Sequence, residues 1–359
     1  MSDVLARIRV RETHGIRRFL YPLTFSDHHL SPEVHSLYRE NREFVGICKA
    51  DGDPVPSDII KNAMRFAVSL APYEEINLLL VKKGARLMVE DALNVVVEDE
   101  MVKSRQRQFT VDFTTEGSIN KVVYGGVSHL RDRGIITRNG ESASGFENTR
   151  INSKPLSLFV RAEANYGHFS DNCDAFITTE LTACKSWLKI MGGFDGTNPG
   201  DQVTFSLPLA ITAPTLTCDF GVGGYVFGKL DEKAPEIVWR TRFGDAPHAR
   251  WSVATVGRTD YVGEVATAEE FLPQRWFHLI DSDKALAVAI THVPSDCREM
   301  TVRLAHEGDV SVAFTLGDTI TGPAEFGLCY HFLNDVPAIA AATNPQSILL
   351  PPVVEVLPV

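Results

Sequence analysis

A chain of 359 residues can bury a substantial core and exceeds the usual span of one domain, so two domains are expected. Its 44% hydrophobic and 23% charged residues are those of an ordinary globular protein, which excludes disorder for most of the length. A formal net charge of -11 with no Lys/Arg-rich segment speaks against binding to nucleic acid, and no window approaches the ~18 continuous apolar residues of a membrane span.

The first residues carry no apolar leader of the kind that directs export, which makes the cytoplasm the expected compartment. Six cysteines lie far apart without Cys-x-x-Cys spacing and read as buried free thiols rather than a disulfide framework.

Short apolar runs separated by Gly, Pro and Asp recur along the chain, and extended 3.6-residue periodicity is nearly absent. The expected fold class is therefore all-β: a small immunoglobulin-like sandwich over residues 1–100, a larger antiparallel sandwich over 101–343, and an extended proline-rich tail over 344–359. In the first part Ala6–Arg11, Ile16–Leu20, Val45–Lys49, Asn62–Leu70 and Ile76–Lys82 read as strands, with turns at Asp51–Pro56 and Ala71–Glu75. Arg7, Arg9, Arg11, Arg17 and Arg18 alternate through the first two, as a solvated face or an anion contact would. Gln108–Thr114 and Ser118–Tyr124 form the opening hairpin of the larger part. Leu156–Val160, Val203–Leu209, Val222–Leu230, Trp251–Val256, Ala285–Ile290 and Val310–Leu316 continue it. Glu180–Ile190 is either strand or short helix, and Met191–Gly200, dense in glycine, reads as a loop.

Arg42–Ser57 followed by Phe66–Glu74 resembles the small β-sandwich modules of carbohydrate-active enzymes. Arg275–Ile290, an aromatic strand that turns at Asp281-Ser282-Asp283 into an apolar one, resembles a strand pair of their supersandwich domains. The resemblance covers about a quarter of the chain. It implies a supersandwich-like fold and a carbohydrate substrate, and carries over no catalytic residue. The helical toroid that accompanies many such domains has no counterpart in the sequence.

Two segments break their strand alternation with glycine, histidine and charge. His129, Arg131 and Arg133 follow Gly125-Gly126, and at a period of two they share one face. Two guanidiniums and an imidazole there can meet a sugar carboxylate, although a polar hairpin turn accounts for the same residues. Tyr166 and His168 stand two apart after Glu163, with Asp171 close behind. A Tyr/His pair can move a proton in β-elimination, and Glu163 or Asp171 can serve as acid and base across a glycosidic bond. His129, Arg131, Tyr166, His168 and Asp171 are thus the catalytic candidates, with Arg133, Glu163 and Trp187 for substrate binding, Trp187 as a sugar platform beside the glycine-rich segment.

No cofactor is expected. Asp27, His28, His29, His35, His278, His292 and His331 leave a divalent metal open without a strong ligand spacing. The sequence points to an enzyme cleaving a small glycoside or oligosaccharide by hydrolase or lyase chemistry. The alternative is a β-sandwich that binds sugar without cleaving it or serves assembly. A homo-oligomer is expected because sheet edges need cover.

Overall fold

The computed structural model describes residues 3–41, 45–60, 62–82, 93–98, 101–106, 108–114, 118–142, 147–165, 174–210, 215–220, 224–229, 236–243, 249–255, 258–265, 275–280, 285–305, 309–317, 322–333 and 348–359. Among them, five antiparallel sheets account for nearly all regular structure, so the chain is almost all-β.

The two largest sheets are arranged as a sandwich. One has eight strands in the order Glu141–Ser142, Ile135–Arg138, Gln202–Pro208, Asp309–Leu316, Cys297–Ala305, Glu236–Phe243, Ala249–Thr255 and Arg258–Val265. The other has nine, from Glu147–Lys154 through Ser157–Asn165, Asp174–Thr182, Trp187–Thr197, Gly322–Leu333, Ala285–His292, Arg275–Ile280 and Thr215–Phe220 to Gly224–Lys229. Alternation decides which side of each strand is dry. In Gln202–Pro208, Val203, Phe205 and Leu207 are buried, while Gln202, Thr204, Ser206 and Pro208 turn outward. Phe205 and Phe314 of the eight-stranded sheet meet Phe326 of the nine-stranded sheet at ring-centroid distances of 6.4 and 5.4 Å. The two inner faces therefore share one core.

The expected hairpin is present, with Phe109–Thr114 pairing antiparallel with Ile119–Tyr124. It sits in a separate five-stranded sheet and joins the main core through Phe109, stacked on Phe332 at 5.9 Å. The aromatic-to-apolar pair also forms, as Arg275–Ile280 against Ala285–His292.

The N-terminal segment builds a second core between a three-stranded sheet, Arg18–Ser26, Ala63–Leu70 and Ser57–Ile60, and a five-stranded one. The latter runs Val353–Leu357, Val4–Arg11, Glu75–Lys82, Val45–Lys49, Pro54–Val55, so the tail returns to pair with the first strand. Arg9 and Arg11 form ion pairs with Glu75 and Glu355 across this sheet. Arg18 departs from the solvated-face reading: its side chain is fully buried against Glu12.

The helix Pro32–Glu40 was not among the expected elements. Ser31 caps it, with Pro32 opening the first turn, and Tyr38 anchors it in the second core. Glu180–Ile190 resolves into the ends of two strands joined by a turn, in which Cys184 adopts φ 60°. Met191–Gly200 is not a loop through its length, because Met191–Thr197 continues the strand Trp187–Thr197. Its glycines serve close packing. A Cβ on Gly192 would lie 2.4 Å from the Phe326 ring, and one on Gly193 2.6 Å from the Phe176 ring. Among the described residues, the thiols of Cys48, Cys184, Cys297 and Cys329 are not joined in disulfides. No helix among the described residues is long and apolar enough to cross a membrane.

Candidate functional site

Of the expected site residues, His129 and Glu163 lie on opposite sides of the nine-stranded sheet. His129 is held by its backbone, the N–H donating to Val122 and the carbonyl accepting from Ala210. Its side chain is buried, 1% exposed, with the ring edge-on to Phe332 at 5.3 Å. Phe332, Tyr330 and Leu328 face the main core. Glu163 pairs in register with Phe176, Phe176 with Gly193, and Gly193 with Glu325. Directly opposed strand residues share a face, and Glu325 differs in parity from the core-facing Phe326, so Glu163 lies on the outer side. His129 is a core residue and does not meet Glu163.

Arg131 and Arg133 part company as well. The Arg131 amide donates to the Pro208 carbonyl, and its guanidinium pairs with Asp309 at 2.5 Å on the eight-stranded sheet. Arg133 is exposed, and the Asp132 carboxylate accepts from its amide, as in a polar turn. Trp187 is 3% exposed between Tyr21 and His331 at 5.7 and 5.9 Å, which makes it core between the nine-stranded sheet and the N-terminal sheets rather than a platform. Tyr166, His168 and Asp171 lie outside the described residues, in the connection between Ser157–Asn165 and Asp174–Thr182.

Glu163 itself lies on the outer face. Glu163 accepts from Arg161 Nε at 2.8 Å and faces Arg150 at 3.9 Å. The Arg161 hydrogen bond and the two positive charges outweigh burial and hold its carboxyl below the ordinary range. It is therefore an ionised acceptor at neutral pH. Arg161 in turn lies 4.4 Å over the Phe176 ring, a cation–π contact. Phe176 settles against Gly193, and Met191 against Gly327, because neither glycine has a Cβ to obstruct them. The face thus combines an aromatic ring, a guanidinium and a fixed carboxylate over a glycine floor.

Glu325 stands in the same row as Glu163 but three strands away, or roughly 14 Å at ~4.8 Å per strand. Acid and base in glycosidases stand ~5–10 Å apart between carboxyl groups, and the Glu163 carboxylate is engaged by Arg161 and Arg150. Among the described residues, no three His, Cys, Asp or Glu side chains gather closely enough to hold a metal ion. Arg161, Phe176 and Gly193 were not singled out for this role from sequence. Their proximity arises from the pairing of three strands, and no local motif announces it.

No family model matches the chain, and no curated protein matches it in sequence. Solved structures do. A protein of glycosyl hydrolase family 38 from Enterococcus faecalis superposes with a TM-score of 0.62 at 9% identity, covering 98% of this chain and 47% of its own length. An α-mannosidase from Enterococcus faecalis V583 gives 0.60 at 10% identity, covering 98% and 46%. The chain resembles these two structures in fold at low sequence identity, without a close family match. It spans about half the length of these two structures. A galactose mutarotase related enzyme from Lactobacillus acidophilus, at TM-score 0.35 and 9% identity over 67% of this chain and 97% of its own, is too slight a likeness to build on.

Proposed function

We propose that the chain is a carbohydrate-active protein that takes a glycoside on the outer face of the nine-stranded sheet, at Arg161, Glu163 and Phe176. The observation that carries this reading is the Arg161 guanidinium lying on the Phe176 ring beside an ionised Glu163. The Phe176 ring holds the guanidinium in place, and a fixed carboxylate next to a guanidinium suits the hydroxyls of a sugar. The shared fold with an α-mannosidase supports mannosides as the first substrate class to try. Tyr166, His168 and Asp171, which follow Glu163 in sequence, are the candidates for proton transfer in cleaving a glycosidic linkage by hydrolysis or elimination.

Binding without cleavage is the second reading. It is favoured by the ionised state of Glu163, held by Arg161 and Arg150, which suits an acceptor better than an acid. Calorimetric titration with α-linked mannobiose and mannotriose tests the site. Arg161→Ala should weaken binding at least tenfold, about 1.4 kcal/mol, and Glu163→Gln severalfold. New reducing ends or unsaturated products in the same mixtures, lost in His168→Ala, would select cleavage. Absence of both binding and turnover across α- and β-glycosides would overturn the proposal.

A further inference from the structure

The outer face that carries Arg161 and Glu163 continues in register across the nine-stranded sheet. Arg161 pairs with Thr178, Thr178 with Met191, Met191 with Gly327 and Gly327 with His292, so these residues form one row over five adjacent strands. Four steps of ~4.8 Å make the row roughly 19 Å long between backbone positions. Its far end belongs to this face because of a bulge. Ile290 points into the core opposite Leu328, and regular alternation would then place Thr291 opposite Gly327 and turn His292 inward. The register instead slips between Ile290 and His292, which sets His292 opposite Gly327 on the outer side. Thr291 and His292 are both exposed, and both lie against the place a Gly327 Cβ would take, at 2.6 and 3.1 Å. Glu325, also exposed and two residues before Gly327, stands diagonally across from His292.

The row is bounded along its whole length on one side. Phe159, Glu180, Lys189, Cys329 and Ala289 make the neighbouring outward row on the same five strands. Arg65 of the N-terminal three-stranded sheet lies 5.0 Å over the Phe159 ring and pairs with Glu180, while Cys329 and Ala289 pack into the N-terminal core. The N-terminal sheets therefore stand as a wall one pleat away, ~7 Å along the strands, from the row that runs from Arg161 to His292.

Resting on the glycoside reading above, we infer that this face takes a glycan chain of several residues, laid across the strands along the foot of that wall, with a second contact point at Thr291, His292 and Glu325. Length carries the argument, since one sugar ring is far shorter than the row and a wall that follows the whole row suits an extended ligand. The chemistry at the far end agrees. The Thr291 hydroxyl donates and accepts, the His292 imidazole offers a donor and an acceptor, and the Glu325 carboxylate accepts, a set that matches the hydroxyls of a sugar. Between the two ends, Met191 presents a flexible thioether that can adapt to the less polar side of a ring.

Calorimetric titration of the full chain with α-linked mannose and β-linked glucose oligomers, each from dimer to hexamer, tests the inference. In the series that binds, affinity should rise about tenfold or more from dimer to hexamer, as further residues reach the second contact point. His292→Ala and Glu325→Gln, each with an unchanged circular dichroism spectrum, should weaken the hexamer severalfold and far more than the dimer. Arg161→Ala should weaken both. Affinity that does not change with length, or full hexamer affinity in both His292→Ala and Glu325→Gln, would overturn the extended site. Dimer binding that still depends on Arg161 would in that case leave the glycoside reading standing, whereas no binding by either series would overturn the extended site together with the site it rests on.

Discussion

Glu12 and Arg18 form a fully buried ion pair at 2.6 Å, and Arg18 also donates to the Leu350 carbonyl. Burial pushes the Glu12 carboxyl up, but the Arg18 hydrogen bond and charge, with the His14 and Ile16 amides, outweigh it and hold it below the ordinary range. A carboxyl lowered in the folded state stabilises above its unfolded pKa of ~4.3, and that contribution is lost as pH falls through the lower folded value. Glu12→Gln removes the carboxylate that pairs with buried Arg18 and should cost about 3–5 kcal/mol at neutral pH. Urea unfolding should show that difference shrinking below pH ~4; a difference independent of pH would show that the pair does not act through charge. None of this was legible locally. Arg18 ends an alternating basic run that reads as solvated, and the pair is buried by chain far away in sequence, including Leu350.

The strand Trp187–Thr197 shows how an element can mislead in sequence and still obey physical rules. Two adjacent glycines ordinarily mark a turn, yet here they lie in paired strand because Phe326 and Phe176 occupy the space of their absent side chains. In Gly193→Ala the new methyl would meet the Ala324 carbonyl oxygen at 2.7 Å as well as the Phe176 ring, so a side-chain shift alone cannot relieve it. The substitution should destabilise by about 1–3 kcal/mol in thermal or denaturant unfolding, and it should weaken glycoside binding by displacing the ring beneath Arg161. Unchanged stability would mean the backbone yields more readily than its pairing implies. The helix Pro32–Glu40 presents the opposite case. Its start signal, Ser31-Pro32-Glu33, is present in the sequence but is easily passed over in a chain dominated by strand patterning.

At the scale of the molecule, contacts distant in sequence join the N-terminal sheets to the rest. Arg65 pairs with Glu180 of the nine-stranded sheet at 2.6 Å, and Asp58 accepts from the Leu156 amide. Trp187, Ala289 and Cys329 pack into the N-terminal core, so the nine-stranded sheet is covered on both sides there. The tail completes the arrangement as an edge strand, with Ile348, Leu349, Val354 and Val356 against the same core. Ending the chain at Leu350 removes that strand and the Glu355 partner of Arg9 and Arg11. The melting temperature should fall by roughly 5–10 °C, read by calorimetry. An unchanged melting temperature would show that the pairing contributes little.

The all-β character, most strand positions and the Phe109–Thr114 hairpin were determined by the sequence itself, because period-two alternation and turn residues act over a few neighbours. The faces were decided by tertiary structure. His129 and Glu163 each looked like a site residue, but which side of a sheet a side chain occupies depends on which strands pair and what packs behind them. That pairing buried His129 and Trp187, sent Arg131 to Asp309, and brought Arg161 over Phe176.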